Sequence, residues 1–347
     1  MKWGDSMGMH AKGLLRACMI AWLAVSAGGA TAEPFRLIVT HLEPPLVPNS
    51  VMDLAVELGY FEREGVEVEL IRVQQTPSAI SALQAGEGEM ANIGVDALLQ
   101  LVAQGGSDLR AVASPNKSLP FLIAAKAGIG APAELEGRSF GVGRVGSLDH
   151  SLSMKVLGSQ GVDTSKLEIL ALGQPPVRAQ ALAAGQIDAT TMSIGVWLSI
   201  PDKSALSVLV DQDAYFAAVP VVNKVNVVRQ GVLEARGDEV RAVLRALVKI
   251  SRDFAANPDG WADAMVPFSA GADRATLGAL AGTFGASWSV NGGMSADELR
   301  ATQEWLYQTP DFAGLRALEL GEWVDFGPID AVLAEVGTDA SGDPAGR

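Results

Sequence analysis

The order of apolar and polar positions along the chain predicts alternating helices and strands. Ser50 is expected to cap a helix in which Val51, Leu54, Ala55 and Leu58 recur at helical spacing, and Gly59 closes it. Residues 66–73 are rich in Val, Leu and Ile and predict a strand. Pro77 stands where a first-turn proline belongs, and Gly86 ends the helix it starts. Residues 90–95 read as the next strand, and Asp96 caps a helix over 97–104. The same order returns further on: a helix from Ser147 to Gly158, a strand over 167–172, a helix over 176–184 and a strand over 187–194. Strands at 35–40 and 139–143 complete two alternating units.

The two units are copies. QTPSAISALQAG (75–86) aligns with QPPVRAQALAAG (174–185), with Gln75/Gln174, Pro77/Pro176, Ala82/Ala181, Leu83/Leu182, Ala85/Ala184 and Gly86/Gly185 identical. The register holds on both flanks, where Leu58-Gly59 matches Leu157-Gly158 and Glu89 matches Asp188. Alternating strands and helices predict an α/β chain of two lobes, each a mostly parallel sheet flanked by helices, with a cleft between them. Ligands of such sheets bind beyond the carboxyl ends of the strands. The equivalent loops there are His41 to Pro44 with Arg144 to Ser147, Gln75 to Ser78 with Gln174 to Val177, and Gly94 to Asp96 with Ser193 to Gly195.

Past residue 220 the pattern changes. Residues 219–228 read as a strand and 238–255 as a long helix with Val240, Val243, Leu244, Leu247 and Phe254 along one face. Ser295 and Glu298 form a capping box before a helix reaching Tyr307. This helical end is expected to fold back on the first lobe, and residues 338–347, small and polar, to form a disordered tail.

Composition narrows the function. The chain has 347 residues, 26 basic against 40 acidic, 48% hydrophobic and 19% charged. That is a folded protein, and its acidic balance argues against nucleic acid and anionic membrane surfaces as partners. Residues 1–32 read as a secretory signal peptide: Lys2, Lys12 and Arg16 lead a short apolar stretch that ends in Ala30-Thr31-Ala32. Three basic residues and Asp5 leave with it, so the mature chain carries 23 basic and 39 acidic residues, a net of −16. It also loses Cys18, the sole cysteine, and keeps only His41 and His150 of the three histidines. A thiol nucleophile, a disulfide and a cysteine-ligated zinc are thereby excluded from the mature chain.

The stretches LAVELGYFEREGVEVEL, SALQAGEGEMANIGVDALLQLVAQG, ELEGRSFGVGRVGS and QALAAGQIDA, together with VVNKVNVVRQGVLEARGDEVRAVLRALVKI, carry a family resemblance. The chain resembles the periplasmic substrate-binding proteins of ABC importers, in the nitrate/sulfonate/taurine group, which is related to binding proteins for pyrimidine precursors of thiamine. The resemblance implies a hinged, two-lobed type II periplasmic-binding-protein fold crossed near residues 119–126 and 219–228. It divides the chain into lobe 1 at 33–120 and 224–337 and lobe 2 at 121–223. Residues 189–193 carry no aromatic side chain where sulfonate binders of the group tend to carry them. The implied role is an extracytoplasmic solute-binding subunit of an ABC transporter. It would capture a small organic molecule (sulfonate, carboxylate, amino-acid-like or pyrimidine-like) by lobe closure and deliver it to the permease and ATPase in the membrane. The expected compartment is the periplasm, with no nucleic-acid partner, no membrane insertion of the mature chain, no cofactor and no metal.

The candidate ligand-binding residues lie on the strand-end loops. Helix starts hold anions through free amides, which selects Gln75, Thr76 and Ser78, Gly94 and Asp96, and Gly146 and Ser147. His41 offers one imidazole bond, Glu43 a partner for an ammonium group, Arg144 a charge for an anion, Ser193 the repeat equivalent of Gly94, and Trp197 a ring for stacking. Other readings of the cleft are a subunit of another importer type, a sensor for a membrane kinase, and an enzyme on the same scaffold. The chain has no Ser-His-Asp pattern, no G-x-S-x-G, no tight carboxylate pair and no metal cluster in its sequence, so no enzyme activity is expected.

Overall fold

The structure, a computed structural model, describes residues 33–105, 108–116, 121–219, 221–269, 272–340 and 343. The expected signal peptide lies outside them. The first part of the chain runs β1 (Phe35–Val39), α1 (Val51–Glu57), α2 (Tyr60–Arg63), β2 (Val68–Arg72), α3 (Thr76–Gln84), β3 (Met90–Gly94), α4 (Val95–Ala103) and β4 (Leu109–Asn116). The second runs β5 (Phe121–Lys126), β6 (Ser139–Val142), α5 (Leu148–Ser159), β7 (Glu168–Ala171), α6 (Pro175–Ala183), β8 (Ala189–Ser193), α7 (Ile194–Ser199), β9 (Leu206–Val210) and α8 (Gln212–Ala218). The chain then returns through β10 (Lys224–Arg229) to a helical end: α9 (Gln230–Ala256), α10 (Pro258–Met265), α11 (Arg274–Gly282), α12 (Ala296–Leu306) and α13 (Gly327–Val336).

Two five-stranded sheets result, in the orders β2-β1-β3-β10-β4 and β7-β6-β8-β5-β9. In each, three consecutive strands are parallel and the fourth runs against them. The reversed strand is the one the chain uses on passing from one sheet to the other, so the mostly parallel sheets of the sequence reading carry one antiparallel member each. Alternation along β5 sends Leu122 and Ala124 to a cluster with Leu182, Met192 and Ile200, and Ile123 and Ala125 to the main core. At the centre of the first sheet Asn92 and Asn226 stand opposite each other, joined by an amide hydrogen bond of 2.8 Å.

The repeat is visible in like elements. Gly86 and Gly185 both follow the equivalent helices α3 and α6 in the left-handed region, at φ 79° and 71°, a conformation glycine adopts without penalty. Glu89 accepts the Arg36 backbone N–H at 2.7 Å, and Asp188 accepts that of Ser139 at 3.0 Å. In both sheets, then, an acid just before the third strand clamps the start of the first.

The Asp188 clamp is pH-dependent. Burial disfavours its charge, but Lys126 Nζ at 2.9 Å and the N–H and hydroxyl of Ser139 outweigh that and hold its pKa down to about 2. A depressed pKa contributes stability above the unfolded value, and that stability is lost as pH falls from about 4 to about 2. Asp188→Asn is therefore expected to cost about 1 kcal/mol in urea titrations near neutral pH, after allowing for solvent screening, and about a third of that at about pH 2.5. Equal costs at both pH values would show that the charge is not the source.

Several local expectations are corrected. Ser50 does not cap α1: its hydroxyl donates to Val47 O and accepts Trp261 Nε1–H, both at 2.8 Å. The long helix begins earlier than expected, at Gln230, and bends at Arg236, whose backbone is not helical. Ser295 accepts the Glu298 amide as read. Within the expected tail, Asp343 is buried and accepts the amides of Asn291 and Gly293 at 2.8 and 2.7 Å, so this residue is held rather than loose. No helix among the described residues is long and apolar enough to cross a membrane.

Candidate functional site

The parallel strands deliver a helix start, or a loop leading to one, at each carboxyl end, and the two sheets present these ends to each other. Among the described residues, three contacts join these loops. Gln174, before α6, donates its amide to Gln74 O at 2.6 Å, so the second loops of the two copies meet. Asp96, in the first turn of α4, accepts the Leu148 amide of α5 at 3.1 Å. Gly195, in the first turn of α7, lies against Leu46 in the loop after β1, where a Cβ would come within 2.5 Å of Leu46 Cβ and O. Thus second meets second, while third meets first in both directions. That exchange is what an approximate twofold axis between two copies produces, and it replaces the like-with-like pairing of loops that the repeat suggests.

Asp96 is not the cap expected for its helix: α4 begins at Val95 after Gly94, and Asp96 lies inside the first turn. It is 8% exposed, and its carboxylate lies so close to Gly94 that a Cβ there would meet Oδ1. Burial pushes its carboxyl up, against the amides of Ala97 and Leu148 and the charge of Arg144. One carboxylate therefore covers the positive starts of two helices from two lobes.

Lys224 was not among the sequence candidates. It opens β10 opposite Gly94, and its Nζ donates to Thr40 Oγ1 at 2.5 Å, at the carboxyl end of β1. Burial pulls its pKa down to about 8, with Asp96 acting the other way. The sequence signal was a lysine inside the otherwise uncharged run VVNKVNVV. Asn223 beside it accepts the Val95 amide through its backbone carbonyl and lines a small hollow with Phe121, Leu152, Tyr215, Phe216, Val219 and Val221. Phe121 and Tyr215 meet edge-on there, 5.6 Å apart.

The other candidates divide. Ser147 caps α5, accepting the His150 amide at 3.4 Å and donating to Arg144 O at 2.7 Å. Gly146 N–H points to His150 Nδ1 at 3.2 Å, which fixes this loop. Ser193 caps α7 through the Val196 amide. Thr76 Oγ1 accepts the Gly94 amide at 3.2 Å, tying α3 to the end of β3. Glu43, Gln75, Ser78 and Arg144 are exposed. His41 is already engaged: its Nε2 donates to Asp53 Oδ2 at 2.8 Å, and Arg72 reaches Oδ1 of the same buried carboxylate at 2.7 Å. Trp197 packs against the Leu122–Met192 cluster of the second sheet, with Lys203 over its ring. Among the described residues no group of three or more His, Cys, Asp or Glu is placed to hold a metal ion.

Residues 51–260 match the family described as NMT1/THI5 like. No curated protein matches the chain in sequence. A solved protein of Bordetella bronchiseptica RB50 superposes with a TM-score of 0.72 at 19% identity, over 88% of this chain and 98% of that one. The ligand-binding component of an ABC-type import system from Staphylococcus aureus, solved with zinc bound, gives 0.68 at 14% identity over 86% and 98%. The periplasmic aliphatic sulphonate binding protein SsuA from Escherichia coli gives 0.65 at 15% identity over 84% and 92%. At these identities the likeness is one of fold, that of two-lobed periplasmic binding proteins.

Proposed function

The chain belongs to the NMT1/THI5-like family, and on that premise we propose that it is the extracytoplasmic solute-binding subunit of an ABC importer. In this reading residues 1–32 direct export and are removed, and residues 33–120 and 224–337 form one lobe and 121–223 the other. A small organic molecule is held between them and handed, unchanged, to a membrane permease powered by its ATPase. The observation that carries the reading is the meeting of strand-end loops from two sheets around two opposite charges, the buried Asp96 and the half-buried Lys224. A few placed polar groups on otherwise apolar walls are what a small-molecule site requires, and closure of lobes around a ligand is how such folds exclude water from it. The structural neighbours described as import and sulphonate-binding components support the same role.

The test is a thermal-unfolding screen of residues 33–347, freed of bound solute by unfolding and refolding. A specific ligand at a thousand times its dissociation constant adds about 4 kcal/mol. Recovery of the ligand chemically unchanged would fit binding without turnover. If no sulfonate, carboxylate, amino acid or pyrimidine stabilises the chain, the reading fails.

Closure itself can be blocked. Gly195→Ala is expected to weaken the ligand found in the screen at least tenfold, about 1.4 kcal/mol, because the added methyl group meets Leu46 where the lobes approach. Titration calorimetry with X-ray scattering checks this. Unchanged affinity and unchanged compaction on binding would show that this contact plays no part in closure.

A further inference from the structure

Two opposite charges stand in the first lobe at the junction, and neither has an ion pair among the described residues. The Lys224 ammonium has one hydrogen-bond partner among them, the neutral hydroxyl of Thr40, and no described carboxylate lies within ion-pair distance of it. Asp96 is satisfied by amides alone, one of them the Leu148 amide of the opposite lobe. The two sit on neighbouring strands' ends: β10 begins opposite Gly94, and Asp96 follows Gly94 by two residues. They are close enough to act on each other, yet do not pair.

His41 is taken by Asp53, and Asp149 by Arg178. Arg144, exposed on the second lobe, acts on Asp96 from across the junction. When the lobes part, the Asp96–Leu148 bond breaks, and Asp96 is left on the wall of the first lobe beside Lys224 with a lone pair to fill. A burial cost on each charge is relieved by a partner of opposite sign.

Resting on the solute-binding reading above, we propose that the cleft selects a small molecule bearing both an amine and an acidic group, its acid on the Lys224 ammonium and Thr40 hydroxyl and its amine on the Asp96 carboxylate. A simple anion at Lys224 would lie beside the uncompensated Asp96 carboxylate. A simple amine at Asp96 would lie beside Lys224 and Arg144. Only a molecule carrying both signs leaves no like-charge contact. The directions of the two pKa shifts agree: burial pushes Asp96 up and pulls Lys224 down.

The experiment uses refolded residues 33–347 and calorimetric titration with matched probes. The zwitterions are the common α-amino acids, β-alanine, 4-aminobutyrate and 3-aminopropanesulfonate. Their controls are propionate, butyrate and propane-1-sulfonate as anions, propylamine and butylamine as amines, and uracil and cytosine as uncharged rings. At least one zwitterion is expected to bind about a hundredfold more tightly than its matched anion and amine. Asp96→Asn should narrow its lead over the anion at least tenfold, and Lys224→Gln its lead over the amine, with far-UV circular dichroism confirming that both variants fold. An anion, amine or ring that binds while every zwitterion fails overturns the charge-pair selection and leaves solute binding standing. Loss of no selectivity in Asp96→Asn overturns it as well. If no probe of any class binds, the solute-binding reading falls, and the selection with it.

Discussion

Trp261→Ala is expected to lower the unfolding free energy by about 4 kcal/mol, the largest loss for a single substitution in this chain. Trp261 is fully buried in α10, with its ring edge-on to Phe284 at 4.8 Å. Its Nε1–H donates to Ser50 Oγ at 2.8 Å, and Ser50 in turn donates to Val47 O. Removing the indole leaves a cavity that a packed neighbourhood cannot fill. It also takes from Ser50 the donor that fixes the turn before α1. Trp261→Phe keeps a smaller ring and loses the N–H with part of the indole volume, at about 1–2 kcal/mol. Urea titration of both variants checks the pair. Equal costs would show that the phenyl-sized part of the ring contributes nothing. The loop that contains Val47 and Ser50 also contains Leu46, the residue that meets Gly195, so Trp261→Ala should weaken solute binding beyond its cost in stability.

The second large effect lies in the other lobe. Arg178→Met is expected to cost about 3 kcal/mol, because it leaves the Asp149 carboxylate partly buried without its cation. Arg178 is 2% exposed, and its Nη1 and Nη2 donate to the two Asp149 oxygens at 2.6 and 3.2 Å. Asp149 also accepts the Gly143 amide at 2.8 Å, which holds the end of β6 against the first turn of α5. The same carboxylate, after burial, contributes to keeping the Tyr215 phenol neutral by raising its pKa. The methionine fills most of the arginine's volume, so the loss reports the orphaned charge rather than a cavity. Adding Asp149→Asn should recover a good part of it. A double variant no more stable than Arg178→Met would place the cost elsewhere.

The parts of this fold legible in the sequence are those set by local pattern. The 99-residue repeat located the equivalent helices α3 and α6 because proline starts and glycine stops are local devices, and Gly86 and Gly185 occupy the same left-handed position. Ser147 and Ser295 cap the helices assigned to them for the same reason. The site was harder to read, because its partners are distant in sequence. Lys224 meets Thr40 across 184 residues, and Asp96 meets Leu148 across 52. His41 looked free because it follows a strand, yet Asp53, an acid among the apolar positions of α1, claims it. A carboxylate inside an apolar run requires a partner, and that signal was present in VMDLAV. Which loop faces which could not be read at all, since it depends on how two sheets dock and not on either one alone.

The reversed strand in each sheet sets an order of assembly. All five strands of the second sheet lie between Phe121 and Val210, so that sheet can close as soon as this stretch of chain is free to fold. The first sheet cannot: β3 must wait for β10, more than a hundred residues later, and until Arg229 is in place Met90–Gly94 is a bare edge beside the vacant position of its neighbour. Long-range pairing of this kind is slow, and an unpaired apolar edge invites association with other chains. The lobe that begins the chain is therefore the last to mature, and for that interval it is the half of the molecule in need of protection.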